Sequence, residues 1–290
     1  MGLLAVASAK GSPGVTTASL VLGALWPRPV LLVECDPSGG DVALRLPGAD
    51  GAVLDRDRGL LSLAAAGRKQ LHHDLVHQHS QSVLGGLDVV AGVRMPEQAA
   101  GLSQQWQKIG PLLATIPGSD VIADCGRIGA STPQNSVLVA ASDIVLVCDV
   151  SPSAVVHVRE RLQSLAATFE GSASRRPTLH VIVVAPPKRT QAVREIRDVL
   201  ERSEVEVASV HHLAHDDRGA GFFAGRSTGR ADRTPLVRSA RGITAALTDR
   251  LTPFFVPVDQ APDAGAVPSV AQPQPGAPDA LSPARGGEPA

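Results

Sequence analysis

Five apolar residues, Leu3-Leu4-Ala5-Val6-Ala7, lead into Ser8-Ala9-Lys10-Gly11-Ser12-Pro13-Gly14-Val15-Thr16-Thr17. The stretch after them, Ala18-Ser19-Leu20-Val21-Leu22-Gly23-Ala24-Leu25-Trp26, reads as a helix. A short buried strand, a glycine loop and Thr-Thr at a helix start form the layout of a phosphate-binding loop. Backbone N–H groups and the helix N-terminus together make an anion site there. The motif also fixes its surroundings, because it needs a strand on one side and a helix returning over the sheet on the other.

One residue breaks the pattern. The usual loop ends in Gly-Lys-Thr, so that the lysine ammonium reaches the β- and γ-phosphates. Here the three residues are Gly14-Val15-Thr16, and the only lysine of the loop stands at its start, Lys10.

Two further strands end in acids. Pro29-Val30-Leu31-Leu32-Val33-Glu34-Cys35-Asp36 is followed by Pro37-Ser38-Gly39-Gly40-Asp41, and Ser119-Asp120-Val121-Ile122-Ala123-Asp124-Cys125-Gly126 carries Asp124 near its end. Ligands of open α/β sheets sit outside the carboxyl ends of the strands, so acids there are placed for chemistry. Read alone, the first group is also compatible with a strand-end turn capped by acids.

Lys-Gly-x-x-Gly-x-Thr-Thr over Lys10–Thr17 resembles the deviant Walker A loop of the ParA/MinD family of partitioning and positioning ATPases. The stretch Glu34-Cys35-Asp36-Pro37-Ser38-Gly39 resembles that family's Asp-x-Asp-Pro-x-Gly switch, and Asp120–Asp124 resembles its Walker B strand. The resemblance implies ATP and Mg²⁺ as cofactors. Residues Lys10, Gly11, Ser12, Pro13, Gly14, Val15, Thr16 and Thr17 would cradle the nucleotide. Thr16 would ligate Mg²⁺ directly, with Asp124 in its outer shell, and Asp36 would orient the attacking water. Lys10 would reach across a homodimer to the partner's phosphates, while Val15 occupies the place of the second lysine. The family's adenine-reading Asn is replaced by Ala185-Pro186-Pro187-Lys188, and Lys188 is one candidate for the missing charge. Some relatives that position secretion machinery, the TadZ/CpaE group, also have eroded loops.

The rest of the chain is consistent with one α/β domain over residues 1–255. Strands are expected at Leu87–Gly92, Ala141–Asp149, Leu179–Ala185 and Val205–Val210, with helices between them. One of these helices, 98–113, is expected to break at Gly110-Pro111. Nearly continuous apolar strands argue a mainly parallel β-sheet flanked by helices on both faces, the P-loop NTPase fold.

With 27 basic and 28 acidic residues, no overall charge points to nucleic acid or membrane. Locally, six arginines lie between Arg218 and Arg241. They suit either a solvated face or nonspecific DNA binding. His73 and His77, spaced i, i+4, suit either a polar helix face or a metal pair. His211, His212 and His215 read as loop residues. Cys35, Cys125 and Cys148 form no paired set and read as reduced, half-buried thiols of a cytoplasmic protein.

Residues 256–290 hold eight prolines, four acids and one arginine, a composition that reads as a disordered tail. It offers no basic amphipathic helix, so no direct membrane anchor is expected. The functional expectation is a nucleotide-dependent dimerisation and positioning switch, at most a slow ATPase, with a protein cargo. The alternatives are a pseudo-ATPase scaffold and a nonspecific DNA-binding partitioning factor.

Overall fold

The strands are β1 (Leu3–Ser8), β2 (Val30–Glu34), β3 (Gln81–Ser82), β4 (Asp88–Val90), β5 (Asp120–Arg127), β6 (Asp143–Asp149), β7 (Thr178–Ala185) and β8 (Ser209–Ala214). The helices are α1 (Val15–Ala24), α2 (Val42–Arg45), α3 (Leu60–Ala66), α4 (His73–Gln78), α5 (Pro96–Gly101) and α6 (Ser103–Ala114). They continue with α7 (Asn135–Ala140), α8 (Pro152–Glu170), α9 (Ala192–Arg202), α10 (Asp217–Phe223) and α11 (Pro235–Arg250). The computed structural model describes residues 2–11, 13–170 and 176–251. Ser12 and the Pro-rich segment 256–290 therefore lie outside the described residues.

The eight strands form one sheet in the order β3-β4-β2-β5-β1-β6-β7-β8, parallel except for the two-residue β3. The period-2 alternation of strand side chains explains the layering. Leu3, Ala5 and Ala7 of β1 join an apolar cluster with Leu60, Trp106, Ile109, Leu162 and Leu200, from α3, α6, α8 and α9. Leu4 and Val6 join the opposite cluster with Leu20 and Val21 of α1 and Leu236, Ile243 and Leu247 of α11. Both faces are covered, which is why the strands read as unbroken apolar runs.

Two expectations are corrected. Helix α6 does not break at Gly110-Pro111 but runs through to Ala114. Gly110 serves packing instead, since a Cβ there would lie 2.2 Å from the Ser136 carbonyl oxygen. The last strand begins four residues later than its apolar pattern suggests, at Ser209, and contains His211 and His212. Its register is set by β7, with His180 opposite Ser209 and Ala185 opposite Ala214. Val205, though buried, belongs to the exit from α9, where its N–H donates to the Leu200 carbonyl at 3.1 Å. Pairing the backbone of β7 outweighs the local apolar signal.

Among the described residues, no helix is long and apolar enough to cross a membrane. The three cysteines are free and fully buried rather than half-buried. Burial pushes the Cys148 thiol up to about 12 and those of Cys35 and Cys125 up as well.

Candidate functional site

The strand order sets β2, β5 and β1 side by side, so the segments leaving their carboxyl ends meet at one place. The loop after β1 ends at Gly14, whose φ of 93° and ψ of 38° turn the chain into α1. The Gly14 carbonyl accepts the first helical bond from Ala18 N–H at 2.8 Å. No acid stands in the first turn of α1, so the partial positive charge of its N-terminus is uncompensated. This end of the helix opens on a cleft of 460 Å³ bordered by Gly14, Thr16, Thr17, Asp36, Arg45 and Arg127, among others.

Asp124 pairs in register with Val6 of β1 on one side and Glu34 of β2 on the other. Its carboxylate accepts the Thr16 hydroxyl and the Gly126 N–H, the latter at 3.1 Å. Burial, followed by the charges of Glu34 and Asp36, pushes its pKa up to about 7 against the Thr16 bond. Asp36 is half-buried and accepts Ser38 N–H at 2.8 Å. Gly126 leaves room for it. With φ at 57°, a Cβ on Gly126 would sit 1.9 Å from Asp36 Oδ2, so only glycine lets these two strand ends close up.

Glu34 turns out to hold the segment after β2 in place. Its Oε1 accepts N–H groups of Asp41 at 2.8 Å and Val42 at 3.0 Å, and its Oε2 accepts Gly92 N–H at 3.0 Å. The side chain is 2% exposed, and burial raises its pKa against these three donors. A shorter aspartate would not span to β4's end and the start of α2 together. The sequence places Glu34 at the right strand end but not in this role, which depends on the neighbouring β4.

The structure thus brings Gly11, Gly14, Thr16, Thr17, Asp36 and Asp124 together. Val15 is 7% exposed and packs into the α1 side of the core, so its side chain offers the cleft only apolar surface. Lys10 is exposed and its Nζ lies 3.1 Å from His157 Nε2 on α8. Lys188 is exposed beyond β7 and does not border the cleft. Arg45 and Arg127, two cations on the cleft, carry no sequence signal beyond Arg127 lying between Gly126 and Gly129 at a strand end. Arg45 is paired with Asp41 at 2.9 Å.

On the other side of the loop a second cavity of 300 Å³ shares Gly14 and Thr17 with the cleft. Its floor is apolar, with Val184, Leu213 and Leu236, and Asp149, His215 and Asp217 stand on its rim. A flat ring and a sugar suit such a pocket better than a phosphate does.

Among the described residues, no group of three or more His, Cys, Asp or Glu side chains could cage a metal. His73 bonds Thr115 at 3.0 Å and His79 bonds Ser62 at 2.7 Å. Mg²⁺ bound with a nucleotide requires less from the protein, a hydroxyl and one or two carboxylates, with phosphates and waters completing its shell. Thr16 and Asp124, already in contact, fit that requirement.

The backbone can be compared with solved structures. A ParA family ATPase from Chlorobium tepidum superposes with a TM-score of 0.65 at 15% identity, covering 85% of this chain and 98% of that one. The cell division ATPase MinD of Pyrococcus furiosus gives 0.65 at 16%, covering 86% and 100%. This is the ParA/MinD fold. The same fold also serves cobyrinic acid a,c-diamide synthase of Mycobacterium smegmatis, solved with an ATP analogue and magnesium (TM-score 0.61, 20% identity, 89% and 100% covered). No protein-family model and no curated protein sequence matches the chain. At these identities the ParA/MinD likeness is one of fold, and function must be argued from the cleft.

Proposed function

We propose that the chain is a ParA/MinD-like nucleotide-binding protein acting as an ATP-dependent dimerisation and positioning switch, with weak hydrolysis. The observation that supports it most is the convergence of Thr16, Asp124 and Asp36 on the open N-terminus of α1. The loop from Lys10 to Thr17 cradles the phosphates, and the neighbouring apolar cavity takes the base. Thr16 and Asp124 hold Mg²⁺, which when bound supplies charge neutralisation to the phosphate chain. Asp36 faces the same cleft and accepts a hydrogen bond from an attacking water.

Val15 sets the rate. A positioned charge on the transferring phosphoryl group is worth roughly 100- to 1000-fold in rate, and valine supplies none. Nucleotide occupancy is therefore long-lived, which suits a switch better than a turnover enzyme. Lys10 stands exposed at the loop's start, held within this chain only by the ring of His157, from which it would turn to serve a second subunit, and the cargo is a protein of a partitioning or secretion-machinery kind.

Calorimetry with Mg-ATP and Mg-ADP on wild type, beside Val15→Lys, tests the reading. Micromolar ATP binding, with sedimentation showing an ATP-dependent dimer lost in Lys10→Ala, supports it. If wild type fails to bind while Val15→Lys binds, the protein is a scaffold with a silenced site. A second reading has its own observation. Arg218, Arg226, Arg230, Arg233, Arg238 and Arg241 are all exposed, on α10, α11 and the segment between. DNA binding that weakens steeply with salt and needs these arginines would support it.

A further inference from the structure

We propose that Arg127 supplies the γ-phosphate end of the cleft with the positive charge that Val15 withholds. The proposal rests on the nucleotide reading above and names the residue that makes it workable.

Three cationic side chains lie close to the loop, and two are engaged. Lys10 Nζ is 3.1 Å from His157 on α8, and Arg45 is paired with Asp41 at 2.9 Å. The Arg127 guanidinium is exposed, borders the cleft, and has no hydrogen bond or ion pair among the described residues.

Its backbone, by contrast, is fixed. Arg127 pairs in register with Ser8, two residues before Lys10, and Ile128 N–H donates to the Ser8 carbonyl at 3.0 Å. The buried Gln134 amide donates to the carbonyls of Cys125 at 3.1 Å and Arg127 at 3.0 Å. Gly126, immediately before it, packs on Asp36. Arg127 therefore rises from a rigid strand end between the start of the loop and the switch aspartate.

Charge completes the argument. Asp36 borders the cleft and Asp124 lies buried behind Thr16, so a polyphosphate bound there needs a cation on the same side to offset them. The planar guanidinium grips phosphate oxygens bidentately and stays charged at any physiological pH. A cation entering from β5 rather than from α1 reaches the terminal phosphate from the switch side. ATP should sense it and ADP should not.

The test is the affinity of the full chain for Mg-ATP and Mg-ADP, by calorimetry, in wild type, Arg127→Ala, Arg127→Lys, Val15→Lys and the Val15→Lys/Arg127→Ala double variant. Arg127→Ala should weaken ATP roughly 10- to 100-fold, the range for a charge-assisted contact, and ADP less than about threefold. Arg127→Lys should fall between. In the double variant the lysine should restore ATP affinity to within about threefold of wild type, since one charge replaces the other. Unchanged melting of ligand-free Arg127→Ala separates this role from a structural one. Equal ATP affinity in wild type and Arg127→Ala overturns the proposal while the nucleotide reading stands. ATP binding by Val15→Lys but not by wild type also overturns it, because Arg127 then fails to replace the lysine. Binding by neither overturns the nucleotide reading, and this inference with it.

Discussion

Asp124→Asn should stabilise the ligand-free protein at alkaline pH, an unusual outcome for a substitution in the middle of a central strand. The wild-type carboxyl is 1% exposed and titrates near 7 instead of 3.8. Between those values the folded chain keeps a proton that the unfolded chain has lost. Its stability therefore falls as pH rises, and levels off above 7. At about 1.4 kcal/mol per pH unit, the fall from pH 5 to pH 8 is about 3 kcal/mol. Asparagine does not titrate. It keeps one acceptor for the Thr16 hydroxyl or the Gly126 N–H and strands the other, a loss of about 1 kcal/mol at every pH. The two proteins should be within about 1 kcal/mol of each other at pH 5, and the variant ahead by about 2 kcal/mol at pH 8. Urea unfolding from pH 5 to 8, followed by the buried Trp26 and Trp106, measures this, with equal m-values confirming comparable unfolding. The difference curve is the diagnostic quantity. His211, held down at about 4, makes stability rise with pH in both proteins, and Glu34 contributes a fall in both. A difference that is flat with pH, or a variant less stable at pH 8, would refute the account of Asp124 as an uncompensated buried charge.

Two other outcomes follow from the same geometry. Glu34→Ala strands the N–H groups of Asp41, Val42 and Gly92, and at about 1 kcal/mol or more apiece it should cost about 3 kcal/mol in urea unfolding. Hydrogen exchange should be fastest to change at the start of α2, since that segment loses its tie to β2. The thiols of Cys35, Cys125 and Cys148 should resist a disulfide reagent in the native state at pH 8 and react together on unfolding, because burial raises all three pKa values. Rapid native labelling of any one would contradict its placement in the core.

What could be read from the sequence divides by range. The loop after β1, the acid-ended strand β5 and Asp36 stand out in the sequence because each is a local event, an apolar run that ends in glycine or an acid. The parallel order of β2, β5 and β1 then places them together by topology, with no further information needed. Where function depends on distant neighbours, the sequence is silent. Glu34 looks like a strand-end acid in the place of the motif's first aspartate until Gly92, 58 residues on, is seen donating to it. His211 and His212 look like loop residues until β7 dictates the register of β8. Arg127 looks like an ordinary strand-end arginine until Ser8 is found beside it.

Three aspartates of the central strands are almost fully buried, and their surroundings differ in a way that bears on function. Asp120, at the amino edge of β5, is answered by the protein itself: Arg28 Nε and Trp26 Nε1 donate at 2.8 Å, and Gly2 N–H at 2.9 Å. Asp143 of β6 has His180 Nε2 at 3.0 Å. Asp124, at the carboxyl edge, has a hydroxyl and one backbone N–H, and its charged neighbours are two more carboxylates. Ionising it there opposes folding, and a chain using this edge only as a scaffold would be more stable with an amide or an apolar residue in its place. The chain settles its other buried aspartates with its own donors, so the unsettled one marks where a cation from outside completes the structure. Under the proposed function that cation would be Mg²⁺ arriving with a nucleotide, and the unanswered charge of Asp124 favours the slow switch over the silent scaffold.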